Sequence, residues 1–295
     1  MRRPAVPAAD ALIGVKRPLL SHGFVVLVDY MGDDAAVVQA ARVSYGAGTR
    51  TVRDDRGLIR YLLRHGHTTP FEMVELKFLI RLPIYIARQW IRHRTASVNE
   101  YSARYSIVPD EYELPAPGEV HRQSARNRQG RGEPLDLAVG ESFRADVDRI
   151  SQEAYQAYQR ALSQGVARET ARMLLPVSFY TQWYWKVNLH NLFHFLSLRL
   201  DPHAQEEIRR YAAVVAELAR TVAPTCFEAF EEFQLTAVHF SARELRAIRA
   251  LLEGQDPTAA CGAAGLALLR EDGTPLRTGE GPEFLEKLSR VRGVP

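Results

Sequence analysis

The stretch "MVELKFLIRLPIYIARQWIRHRTASVNEYSARY" (residues 73–105) organises the reading of this chain. In its first ten residues Val74, Leu76, Phe78, Ile80 and Leu82 alternate with Glu75, Lys77 and Arg81, the period-two pattern of a strand with one apolar face. Pro83 ends the strand and suits the first turn of a helix. In that helix Ile84, Ala87 and Ile91 are expected to face the core, while Gln89, Arg92 and His93 share another face. Residues 88–105 then carry four arginines, a histidine, an asparagine, a glutamate and two serines, on a helix end running into a loop. A solvated face would alternate charge signs, and an ion-pair network would need more than one local carboxylate. A dianionic ligand fits better, because guanidinium forks match phosphate oxygens and each charge-assisted bond contributes roughly 1.5–3 kcal/mol.

Before this stretch, "GFVVLVDYMG" (23–32) reads as a short buried strand, and residues 33–44 as a helix capped by Asp33 or Asp34. Residues 55–67 form a second helix whose face comprises Leu58, Tyr61, Leu62 and His65, with Gly66 placed to stop it. After it, residues 108–137 make a long excursion rich in proline, glycine and basic residues; long ordered loops of this kind are usually functional. A helix is expected over 138–164, a strand over 179–187, and helices over 188–200, 204–223 and 242–252. Pro4 and Pro7 suggest a loose N-terminal arm over 1–22, and residues 255–295 read as a peripheral tail, which leaves 23–254 as the domain.

The 295 residues suffice for a sizeable core, and 46% hydrophobic with 25% charged residues is a globular profile. A net charge of +3 is too small for a nucleic-acid coat or a membrane-surface protein, so any basic site is local. Cys226 and Cys261 lack a partner motif, no apolar run reaches membrane-spanning length, and the N-terminus lacks the apolar core of a signal peptide. A reducing, cytoplasmic setting fits.

From the residues alone, three readings stand beside one another: an anion-binding enzyme, a nucleic-acid-binding module using 88–105 and 121–131, and a metal hydrolase on His190 and His194. These two histidines have zinc-helix spacing, but Asn191 stands where the general-base glutamate is required, so no metal is expected. Cys226 has no neighbouring base, and neither a Walker loop nor a GxGxxG turn is present.

"RHRTASVNEYS" (92–102) satisfies RHR-x7-S, and the chain thereby resembles the flavin-dependent thymidylate synthases. "HGHTTPFE" (65–72), "ARMLLP" (171–176) and "NLHNLFHFLSLRLDPHAQEEIR" (188–209) are similar to the family's other marked segments, in the same order. The resemblance covers about residues 23–235. It implies an α/β fold, an antiparallel sheet flanked by helices, assembled as a homotetramer with active sites shared between subunits. It implies methylation of dUMP to dTMP, with methylenetetrahydrofolate as carbon donor and NADPH as reductant through FAD.

Position by position, the resemblance assigns Gln89, Trp90, Ile91 and Arg92 to a first substrate segment. Glu100, Tyr101, Ser102, Ala103 and Arg104 form a second, and Arg172 joins them. Arg199 matches the arginine that contacts the uracil and favours its ionisation, the catalytic role. Flavin contacts are implied for Thr69, Arg92, His93, Arg94, Glu100, Asn188, Leu189, His190 and His194, with His93 and its arginine neighbours balancing negative charge. Ser44, His67, Asn99 and His203 are implied neighbours of the pocket. Because a guanidinium can stabilise charge on the uracil without a covalent bond, no cysteine nucleophile is required.

Overall fold

The computed structural model describes residues 5–43, 55–124 and 130–293. Seven strands occur among them: β1 (Arg17–Leu19), β2 (Gly23–Met31), β3 (Glu75–Pro83), β4 (Ser97–Glu100), β5 (His121–Gln123), β6 (Arg131–Pro134) and β7 (Tyr180–Asn188). The main sheet has the order β1-β2-β3-β7-β4 with every pairing antiparallel, while β5 and β6 form a small second sheet. Alternation in β3 produces the apolar face: Leu76, Phe78, Ile80 and Leu82 are fully buried. Their register partners on β7 extend the same surface, with Leu76 opposite Val187, Phe78 opposite Trp185 and Ile80 opposite Trp183. The other face carries the Glu75–Lys186 ion pair at 3.0 Å and Lys77 over the Tyr184 ring, as in an antiparallel sheet solvated on one side.

Helices cover the apolar face. Those preceding residue 235 are α1 (Pro7–Asp10), α2 (Asp34–Val43), α3 (Asp55–Arg64), α4 (Ile84–Trp90), α5 (Leu137–Ser163), α6 (Arg168–Ala171), α7 (Leu189–Arg199), α8 (Glu206–Val222) and α9 (Pro224–Phe230). Aromatic contacts lock helices to one another and to the sheet: Trp90 of α4 lies 4.6 Å from Phe195 of α7, and Phe193 of α7 stacks on Phe230 of α9 at 4.3 Å. Asp33 caps α2 through the Ala36 N–H, whereas Asp34 turns away and accepts from the backbone of Thr225 and Cys226, fastening α9. Gly66 stops α3 with φ of +71°, a conformation that favours glycine.

By internal packing the chain divides into a unit of residues 1–122 with 131–235 and a unit of 123–130 with 236–295. The second contains α10 (Ala242–Leu252), α11 (Pro257–Ala264) and α12 (Glu280–Val291), which enclose their own apolar cluster of Ala247, Cys261, Ala264, Leu266 and Phe284. A capping box joins Ser241 to Glu244, whose buried carboxylate also pairs with Lys287 at 2.7 Å.

Several expectations need correction. Residues 5–22 are not a loose arm: β1 pairs with β2, Ala9 is buried, and Arg17 grips both oxygens of Glu217. Pro7 is absorbed in the first turn of α1, where a missing N–H costs nothing, and Pro4 lies outside the described residues. Residues 255–293 are folded, with α11 and α12, and the division falls at 235/236 rather than at 254. Helix α3 buries Ile59, Leu62 and Leu63, leaving Tyr61 exposed. The long excursion contains β5, β6 and a short 3-10 turn over Pro117–Glu119.

Candidate active site

Helix α4 begins directly where Pro83 leaves β3, and it has two apolar faces rather than one. Ile86, Ala87 and Trp90 enter the core, whereas Ile84 and Ile91 line a cavity, Ile91 being 41% exposed. Of the expected core face of 84, 87 and 91, Ala87 is buried in the core as expected, whereas Ile91 turns to the cavity. After α4 the chain turns and returns as β4, the edge strand. Here the expectation of a loop fails: Ser97 to Glu100 pair with Lys186 to Trp183, and the Tyr101 N–H donates to the Gln182 carbonyl at 2.7 Å. A four-residue strand with alternating polar positions has too little apolar pattern to be recognised without its partner.

The cavity, about 450 Å³, opens between α4, the segment after β4, and the start of β7. This lies within the range of small-molecule sites. Glu100, Tyr101, Ser102, Ala103, Ile91 and Arg172, all implied substrate residues, line it together. So do Arg88, Thr181 and Trp183, which the sequence reading missed. Arg88 stands one helical turn before Arg92 and was legible as part of the basic stretch. Thr181 could be found only from the pairing of β4 with β7. Arg88 forms no ion pair among the described residues, and Arg172 uses only Nε, on the Glu169 carbonyl. Glu100 Oε1 accepts from the buried Thr181 hydroxyl at 2.6 Å. Past Ser102 the chain turns, its carbonyl accepting from the N–H groups of Tyr105 and Ser106.

Other implied residues lie elsewhere. Trp90 is fully buried among Trp183, Trp185, Phe195 and Tyr211, so its side chain is core. Gln89 donates to Gln205 at 3.3 Å, and Arg104 pairs with Glu169 at 3.4 Å. Beyond the end of α4, Arg199 donates through Nε to His93 Nε2 at 2.9 Å, and the imidazole also meets His194 and Phe195 edge-on. Burial, then the Arg199 charge, then His194 push the His93 pKa down to about 4, and burial lowers that of Arg199. His93 is therefore neutral near pH 7, which leaves Arg92 and Arg94 as the positive charges flanking it in the chain. Arg92 and Arg94 are exposed and form no ion pair among the described residues. Asn188 caps α7 by accepting from Asn191 N–H at 2.9 Å, and Leu189 is buried beside it. His190 is half-buried on the same helix. Thr69 and His67 line a separate cavity of about 500 Å³ with Tyr61 and Met73. Asn99 is exposed on β4, and His203 engages Asp201 at 2.9 Å. Ser44 lies outside the described residues.

Among the described residues no group of three or more histidines, cysteines, aspartates or glutamates could hold a metal ion. Cys226 is buried with its thiol pushed well up by burial and by Asp34, which disfavours the thiolate.

A helix-covered antiparallel sheet whose edge strand carries a cavity with two arginines, neither paired with a carboxylate among the described residues, has the form of a small-molecule site suited to an anion. The family model for the thymidylate synthase complementing protein matches residues 26–225. A flavin-dependent thymidylate synthase of Ruegeria pomeroyi is 53% identical over 265 residues, covering 87% of this chain and 86% of that protein. One from Rickettsia conorii is 49% identical over 270 residues, covering 87% and 92%. The crystal structure of a UMP/dUMP methylase, PolB, from Streptomyces cacaoi bound with 5-Br dUMP superposes with a TM-score of 0.67 at 38% identity, covering 74% of this chain and 99% of that one. The chain belongs to the flavin-dependent thymidylate synthase family. It is accordingly an enzyme whose cofactor is FAD.

Proposed function

We propose that this chain forms dTMP from dUMP in the cavity beside β4, taking the one-carbon unit from methylenetetrahydrofolate and electrons from NADPH. The observation that carries this reading is the convergence of Glu100, Ser102, Ala103 and Arg172 on one cavity from distant parts of the chain. Arg88, Arg172 and the Ser102 hydroxyl supply donors for a nucleotide phosphate, and no carboxylate among the described residues is paired with either arginine. The exposed guanidinium groups of Arg92 and Arg94 suit the anionic pyrophosphate of a dinucleotide, so the residues present fit FAD. Bound flavin supplies the reducing equivalents. Arg199 would hold the negative charge that develops on the uracil N3/O4 edge and so raise electron density at C5. That route needs no thiolate, in keeping with the buried, protonated Cys226.

The implied site residues occupy separate places on one protomer: the Ser102 cavity, the His93–Arg199 pair and the Thr69 cavity. This separation favours a homotetramer in which each active site combines residues of several subunits. Val139, Phe143 and Ile150 leave an exposed apolar face on α5 that such assembly could cover. No helix among the described residues is long and apolar enough to cross a membrane, and the cytoplasm is the proposed compartment. The test is dTMP formation from dUMP, methylenetetrahydrofolate and NADPH, with and without added FAD. A colourless protein inactive under both conditions would end the reading.

A further inference from the structure

Thr181 sits at the start of β7, 7% exposed, with its hydroxyl 2.6 Å from Glu100 Oε1 on the neighbouring edge strand. Both residues line the cavity that also contains Arg88 and Arg172. A free carboxylate in a cavity with two guanidinium groups that lack a carboxylate partner has an obvious destination. It would swing onto one of them, since a guanidinium–carboxylate pair carries opposite charges on both partners and can be bidentate, where a hydroxyl offers a single donor. Among the described residues Glu100 makes no such pair; its side chain engages Thr181 instead.

We propose that Thr181 is a positioning residue for nucleotide binding: by holding Glu100 Oε1 against β7 it keeps the carboxylate off Arg88 and Arg172. This rests on the reading of the cavity as the dUMP site. The consequence is a divided cavity. The arginines stay free for the dianionic phosphate, and Glu100 Oε2 stays free to accept from a neutral donor of the nucleoside, a sugar hydroxyl or the imide N–H. Thr181 thereby fixes which way round the nucleotide lies.

The test compares Thr181→Val, which keeps the shape and removes the donor, with Thr181→Ser, which keeps the donor. Calorimetric dUMP binding to the FAD-loaded protein is measured beside KM and kcat. Thr181→Val should weaken dUMP binding and raise its KM by about tenfold or more, the scale of a hydrogen bond to a charged group. FAD content and kcat at saturating dUMP should be largely retained. Thr181→Ser should restore wild-type binding. In a Glu100→Gln background, where no charge is left to collapse, Thr181→Val should cost nothing further. Wild-type affinity in Thr181→Val, equal losses in the valine and serine variants, or additive losses with Glu100→Gln would each overturn the proposal. Should Thr181→Val fail to fold, Thr181→Ser with and without Glu100→Gln carries the comparison. An affinity loss in Thr181→Ser that persists when Glu100→Gln is also present overturns the proposal, and wild-type affinity in Thr181→Ser supports it. If the wild-type protein itself binds no dUMP, the reading of the cavity has failed, which is a different result from an indifferent Thr181.

Discussion

Arg199 Nε and His93 Nε2 are 2.9 Å apart, with the arginine as donor. This fixes the imidazole as an acceptor at Nε2, so its proton resides on Nδ1, and a protonated ring could not make the bond. The histidine of the RHR signature thus orients a guanidinium contributed by α7, 106 residues away in the chain.

The pH dependence follows from the sign of the shift. The unfolded imidazole titrates at its ordinary 6.5 and the folded one at about 4, so between these values the unfolded chain binds more protons. Stability should fall as pH drops through that window. His93→Gln cannot titrate and should show a smaller fall. Thermal melts across the window decide it, and parallel curves for the two proteins would remove His93 from the account.

Arg199→Ala should lower kcat for dTMP formation by about 10²–10³, the scale of losing a donor at a developing negative charge. Flavin should stay bound, because the exposed Arg92 and Arg94 beyond α4 are untouched. The ratio of FAD to protein, read from the absorption spectrum, is the control. Unchanged turnover would remove the catalytic assignment.

Trp90 is a test of core against ligand contact. Trp90→Ala should cost about 3–5 kcal/mol of stability, as for other fully buried large aromatics. Trp90→Phe removes an indole N–H that lacks a partner and should be far milder, with KM for dUMP unchanged. A raised KM in a stable Phe variant would return the side chain to the nucleotide.

Cys226→Ala should keep its turnover while losing roughly 1 kcal/mol of stability, since a small buried side chain is removed. Asp34 holds the backbone N–H of residue 226, not the side chain alone, so α9 stays fastened. A folded but inactive variant would revive a sulfur nucleophile.

Alternation along 73–82 and the aromatic run 179–187 were enough to identify β3 and β7, because a sheet solvated on one side writes its pleat into the residues and aromatic side chains favour strands. The basic stretch suggested an anion site for a different reason: like charges in one segment repel unless a ligand balances them, and Arg88 from it lines the cavity. Which side of α4 met the core was only partly legible. Ile84 and Ile91 are as apolar as Trp90, and periodicity records which positions are apolar but not whether a neighbour or a cavity lies opposite. The short edge strand β4 was hidden because its backbone partners come from β7, far along the chain.

What the sequence determined by itself was the local material: strands, helix ends, and a dense set of donors in one segment. Tertiary structure alone decided that Thr181 meets Glu100, that His93 is neutral, and that the implied site residues divide among separate places. The physical reason is that burial and electrostatic environment are set by groups brought close in space, and separation along the chain carries almost no record of them.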